Sequence, residues 1–208
     1  MLVTAPGRFV TGLWTDSGQS EVYSFTDDTG QDLLEHGGGD SAVGAATDHK
    51  AAMFEIHGRR PPTDTAVRVS ARGRVLVSTA AGVQAHRSAS VAAKKGDRVK
   101  VAGFEFRVGS AETAGHDGPG MEIELSRSVK AHQLREICRI RFEDAAGNPL
   151  AVEALSSASQ GIGGELEMSD WFLFRDQVSE FVIVVDLWAG RVETSAEYEA
   201  SATIGCGR

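Results

Sequence analysis

The chain has 208 residues, enough for one large or two small domains that each bury a core of their own. Its 41% hydrophobic and 24% charged residues are ordinary for a globular fold, and no stretch approaches the roughly 20 apolar residues of a membrane-spanning helix. The net charge of −8 is concentrated from Gly120 onward, where 15 acids face 8 bases, which disfavours binding to phosphate backbones or anionic lipid.

The N-terminus "MLVTAPGRFV" lacks a basic segment followed by an apolar run, so as written it carries no signal peptide and the expected compartment is the cytoplasm. A mature fragment of an exported protein would instead belong at the cell surface or outside the cell.

Strand signals dominate from there on: short runs of Val, Ile, Phe and Thr between turn residues. They predict strands at 9–14, 21–26, 52–57, 66–70, 74–78, 88–92, 98–102 and 104–108. In the second half they predict strands at 121–126, 140–143, 150–154, 164–167, 171–175, 181–187, 191–198 and 202–205. In "RVKVAGFEFRV", Ala102 and Gly103 read as a tight hairpin turn that puts Phe104, Phe106 and Val108 on one face. "SVKAHQLREIC" and "GQDLLEHG" each hold a helical turn or two at most.

"SAETAGHDGPG", residues 110–120, has three glycines, a proline and no apolar periodicity, and reads as a linker. It divides the chain into a first domain at 1–109, with an extra hairpin at 84–109, and a second domain at 121–208.

Two stretches echo each other: "FTDDTGQDL" from Phe25 and "FEDAAGNPL" from Phe142, 117 residues apart. "GRVLVS" from Gly73 and "GRVETS" from Gly190 share that offset, which also aligns Phe54 with Trp171, Ile56 with Leu173 and Val67 with Val184. The pattern predicts an internal duplication. The aspartates fit a strand–turn–strand: Asp accepts backbone N–H groups across the turn and Gly takes a positive φ. A calcium site needs more oxygens, and Ala145 and Pro149 stand where Asp28 and Asp32 would supply them, so no metal and no cofactor is expected.

Other motifs carry little chemistry. "HGGGD" lacks the nucleophile elbow that gives an oxyanion loop its use, and "GIGG" lacks phosphate-loop spacing. The six histidines, His36, His49, His57, His86, His116 and His132, show no metal-ligand spacing. Cys138 and Cys206 form no C-x-x-C, which leaves two separate thiols or a disulfide clamping the last strand. The basic cluster Arg127, Lys130, Arg135, Arg139 and Arg141 reads as a solvated face or connector. In "WFLF" the 117 offset places Trp171 and Leu173 in the core, so Phe172 and Phe174 are expected to face outward as a binding patch.

Many short strands and no long helix predict an all-β chain of two sandwich domains in tandem. The pattern, F-x-D-x-x-G included, resembles tandem immunoglobulin-like or fibronectin type III-like modules of bacterial proteins, without the cysteine pair of antibody domains. The resemblance implies a non-catalytic binding or assembly module, with a protein partner or self-association. A glycan-binding surface module built on Trp14, Trp188 and Tyr198 is the alternative, and an enzyme with a site assembled from loops a second one. Neither nucleic acid nor membrane insertion is expected.

Overall fold

A computed structural model describes residues 1–14, 20–34, 39–114, 120–162 and 165–204. These residues form an all-β fold of antiparallel sheets, none of them closed. In chain order the strands are β1 (Leu2–Thr4), β2 (Phe9–Trp14), β3 (Glu21–Asp27), β4 (Gly39–Ala45), β5 (Ala51–His57), β6 (Arg68–Ala80), β7 (Gly82–Ala92), β8 (Arg98–Val101), β9 (Phe104–Thr113) and β10 (Met121–Lys130). A single helical turn, α1 (Ala131–Leu134), leads into β11 (Ile137–Glu143), β12 (Val152–Ile162), β13 (Glu165–Phe174), β14 (Glu180–Ala189) and β15 (Val192–Thr203). No described helix is long and apolar enough to cross a membrane.

The chain makes two compact units, and the second interrupts the first: Met1–Gly82 with Ala189–Arg208, and Val83–Trp188. The expected division at 110–120 is therefore corrected. Ser110 to Thr113 are not linker; they belong to β9, which pairs with β10, Met121 opposite Thr113. Residues from 189 on leave the expected second domain because β15 pairs with β6 over its whole length, Val192 with Thr79 through Thr203 with Arg68. The expected extra hairpin at 84–109 joins the second unit, where β8 and β9 extend the β10 sheet and β7 joins β14.

In the first unit a sheet of order β1-β5-β4 and a sheet of order β15-β6-β2, with β3 also on β6, share one core. Val10 and Leu13 of β2, Val75 and Val77 of β6, and Ala52 and Phe54 of β5 fill it. Phe54 meets Tyr198 edge-on at 5.1 Å between ring centroids.

In the second unit the sheets run β12-β13-β10-β9-β8 and β11-β14-β7. Inward positions of both build one core: Phe104, Phe106 and Val108, Ile123 and Leu125, Phe142, and Phe181, Ile183 and Val185. The Ala102–Gly103 turn forms as expected, with φ of 54° and 84° and Val101 opposite Phe104.

Phe172 and Phe174 are corrected. They are 7% and 1% exposed and lie in this core. Phe172 stands opposite Ile123 in the β10–β13 ladder, and directly opposed residues share a face. Phe142 binds the two sheets together, 4.8 Å from Phe172 and 5.0 Å from Phe174 between centroids.

Candidate functional site

The two F-x-D-x-x-G turns are the same turn. Asp27 N–H donates to Gln31 O and Asp144 N–H to Asn148 O, at 3.1 and 2.9 Å. Gly30 and Gly147 have φ of 91° and 92°. Leu33 N–H returns to Phe25 O as Leu150 N–H does to Phe142 O.

Both carboxylates are occupied by the fold. Asp27 is buried; its Oδ1 accepts from Thr29 N, Thr29 Oγ1 and Gln31 N, and its Oδ2 from Thr63 N and Thr63 Oγ1. Burial alone would push this carboxyl up, but those donors outweigh it and hold it far below the usual carboxylate range. Asp144 accepts from Asn148 Nδ2 and Asn148 N, which lower it likewise.

The other repeated pair is not a counterpart. "GRVLVS" lies inside β6 and "GRVETS" opens β15, and the two strands pair with each other: Glu193 with Ser78, Thr194 with Val77. The offset also drifts between sheets. Phe25 faces Ala71, whereas Phe142 faces Ile183, five residues short of the expected position. Val67 is exposed and outside β6; Val184 is buried in β14.

Few of the expected chemical groups gather. His36, His116 and Cys206 lie outside the described residues, as does most of "HGGGD". His57 is exposed and 3.5 Å from Glu55. Among the described residues no three His, Cys, Asp or Glu side chains are placed to hold a metal ion. Burial pushes the Cys138 thiol up, against the lowering effect of Arg139. Trp14, Trp188 and Tyr198 are all half-buried, Tyr198 against Phe54. A hollow of about 390 Å³ opens on the first unit between Thr4, Pro6, Arg8 and Lys50. Arg8 there is already bonded to Thr79 Oγ1 and Gly190 O.

The densest arrangement of charge is on the outer face of the β11-β14-β7 sheet. Because Phe142 points inward, Arg139, Arg141 and Glu143 alternate outward from β11. Arg139 stands opposite Asp186 on β14 and Arg141 opposite Val184. Arg139 Nε donates to Asp186 Oδ2 at 2.6 Å; Arg141 donates to both Asp186 oxygens, through Nε at 3.0 Å and Nη2 at 3.1 Å. Arg141 Nη1 donates to Glu143 Oε1 at 2.8 Å, and Arg87 Nη1 of β7 pairs with Glu143 Oε2 at 2.8 Å.

Five side chains thus form an unbroken chain of alternating charge. Its carboxylates lie below, with side chains 2% exposed at Asp186 and 10% at Glu143. Its arginine side chains are the exposed members, at 66%, 38% and 50% for Arg139, Arg141 and Arg87. Burial would raise Asp186, but its hydrogen bonds to Arg141 and Arg139 prevail and lower it. The same bond to Asp186 raises Arg141. Asp186 therefore keeps its charge, and both carboxylates hold the arginines from beneath through these contacts.

Sequence reading marked Arg139 and Arg141 only as members of a solvated basic cluster. The signal was present as R-x-R-x-E in a strand with Phe142 inward, but Asp186 and Arg87 come from distant strands. Of the same cluster, Arg127 is not solvated at all: it is buried against Asp170.

Comparison of the chain with family models, curated proteins and solved structures gave no match.

Proposed function

We propose that the chain is a non-catalytic binding module that engages an acidic segment of a protein partner through the exposed arginines of β11 and β7. The observation that carries this is the chain of Arg139, Asp186, Arg141, Glu143 and Arg87. Guanidinium groups held by buried carboxylates lose little further side-chain freedom on binding. Arginine is also the cation most enriched at interface hot spots, and opposed charge favours encounter with an acidic partner.

The reading of both units as immunoglobulin-like sandwiches belongs to the same proposal. What supports it is the order of pairing. In the first unit β3 pairs with β6 while β4 pairs with β5; in the second β11 pairs with β14 while β12 pairs with β13. Each is a hairpin in one sheet enclosed by a pair in the other, the crossing that immunoglobulin-like sandwiches use.

The test is fluorescence anisotropy with a labelled poly-glutamate peptide at low salt. Binding should weaken about tenfold in the charge reversal Arg139→Glu and fall with added salt. Equal binding by wild type and an Arg139→Glu/Arg87→Glu variant of unchanged fold would refute the reading.

A further inference from the structure

The strand β12 is an edge strand that nothing described covers. It ends its sheet, and every residue from Glu153 to Gly161 is exposed. Its sequence "VEALSSASQGI" has one charge, Glu153, and no proline. Edge strands usually carry the features that stop another strand from adding, such as shortness or charge. The opposite edge of the same sheet has them: β8 is four residues long and carries Arg98 and Lys100. So does β11, with Arg139 and Arg141.

β12 also adds little to the core. It is held to β13 by the ladder, which a bulge between Ala154 and Ser156 interrupts, by Ser157 Oγ donating to Asp170 Oδ1 at 2.6 Å, and by Glu153 pairing with Arg175 just beyond β13. Beside it, a hollow of about 150 Å³ opens between Ile140, Phe142, Leu150, Val152, Ala154 and Phe172. This is where Phe172, the expected binding residue, meets open space. Leu155, which follows Ala154 in the strand, is 45% exposed.

We infer that β12 pairs antiparallel with β12 of a second copy of this chain about a two-fold axis close to Leu155. A two-fold axis makes such pairing antiparallel and self-complementary. No like charges meet, because Glu153 falls opposite the Ser156–Ser157 region and everything from Ala154 to Ile162 is neutral. The small side chains let the backbones approach. Each Leu155 lies beside the apolar hollow of the other copy. A contact this small gives a weak, concentration-dependent dimer.

Sedimentation velocity on the full chain from about 1 to 200 µM tests this. The wild type should pass from monomer to dimer across that range, and Leu155→Asp and Ala158→Lys should each remain monomeric. Both positions are exposed, so thermal unfolding should be little changed, and a melt of each variant guards against misfolding. In a third variant, Leu155→Cys, which puts the two thiols opposite each other at the axis, oxidation should yield a covalent dimer that the wild type, with its own cysteines, does not. A wild type monomeric at 200 µM overturns the inference, as does a dimer that survives both substitutions. A heterologous strand found on β12 of a chain that stays monomeric overturns it too.

Discussion

Thr63 donates twice to Asp27, through its amide at 2.9 Å and its hydroxyl at 3.0 Å, across thirty-six residues of chain. The turn carboxylate therefore does more than close its own hairpin; it fastens the loop before β6. Asp27→Asn should lower the midpoint of thermal unfolding by several degrees, because the amide NH2 would face the Thr63 donors. Asp144→Asn, whose carboxylate bonds only within its own turn, should cost less. The pH dependence has a definite sign. The folded carboxyl of Asp27 is depressed below its ordinary 3.8, so its contribution is complete above that value and drains away as pH falls through it. Urea unfolding at a series of pH values should show wild type and Asp27→Asn converging below about pH 4. Parallel curves down to pH 2 would count against this account.

Ala102 occupies the first central position of the β8–β9 turn at φ 54°, a conformation that costs an L-residue other than Asn or Gly roughly 1 kcal/mol. Gly103 follows at φ 84°, so the turn takes the form that Asn-Gly prefers. Ala102→Asn should stabilise the protein by about 0.5–1 kcal/mol, less the small contact the methyl makes with the core. Denaturant titration reads this as a higher midpoint with an unchanged slope. A lower midpoint would show that the methyl contact outweighs the turn.

Arg127 and Asp170 form a buried ion pair on the inner face of the β10–β13 ladder, with Arg127 also 5.5 Å over the Phe106 ring. Asp170→Ala leaves an uncompensated buried guanidinium and should cost about 3–5 kcal/mol. Replacing both, Arg127→Met with Asp170→Leu, should recover most of that loss. The single variant also releases Ser157, so amide exchange along β12 should speed up even under conditions where the fold persists. Unchanged exchange at Ser156 to Gln160 would show that the ladder alone holds the edge.

Much of the fold was legible locally. β2 was read to the residue and most other strands within a few positions, because alternation and turn chemistry are properties of neighbours. Three pairs of predicted strands proved to be single long ones, β6, β13 and β15, since polar or glycine breaks within a ladder look like turns in sequence. β4, "GDSAVGA", was missed because it has almost no β-branched or aromatic residue. What sequence could not carry was pairing between distant strands. The face of Phe172 depends on Ile123, and the arginine face depends on Asp186 and Arg87 meeting β11. The offset of 117 holds for the turn and not for the strands, whose register drifts by five residues.

Gly73 and Gly190, matched in sequence, are glycine for different reasons, and a pair of substitutions separates them. A Cβ on Gly73 would lie 2.4 Å from the carbonyl oxygen of Glu21 and 2.5 Å from the Tyr198 hydroxyl. The first is backbone of β3 and cannot move without opening the β3–β6 ladder. Gly190 instead has φ 60°, and a Cβ there would meet only Ala81, its methyl at 3.2 Å and its amide nitrogen at 4.0 Å. Gly190→Ala should cost about 1 kcal/mol for the left-handed conformation. Gly73→Ala should cost about 3 kcal/mol or more, through overpacking and lost ladder bonds. Denaturation of the two variants side by side should put Gly73→Ala clearly lower. Equal losses would mean that β3 yields at Gly73 more readily than the ladder geometry implies.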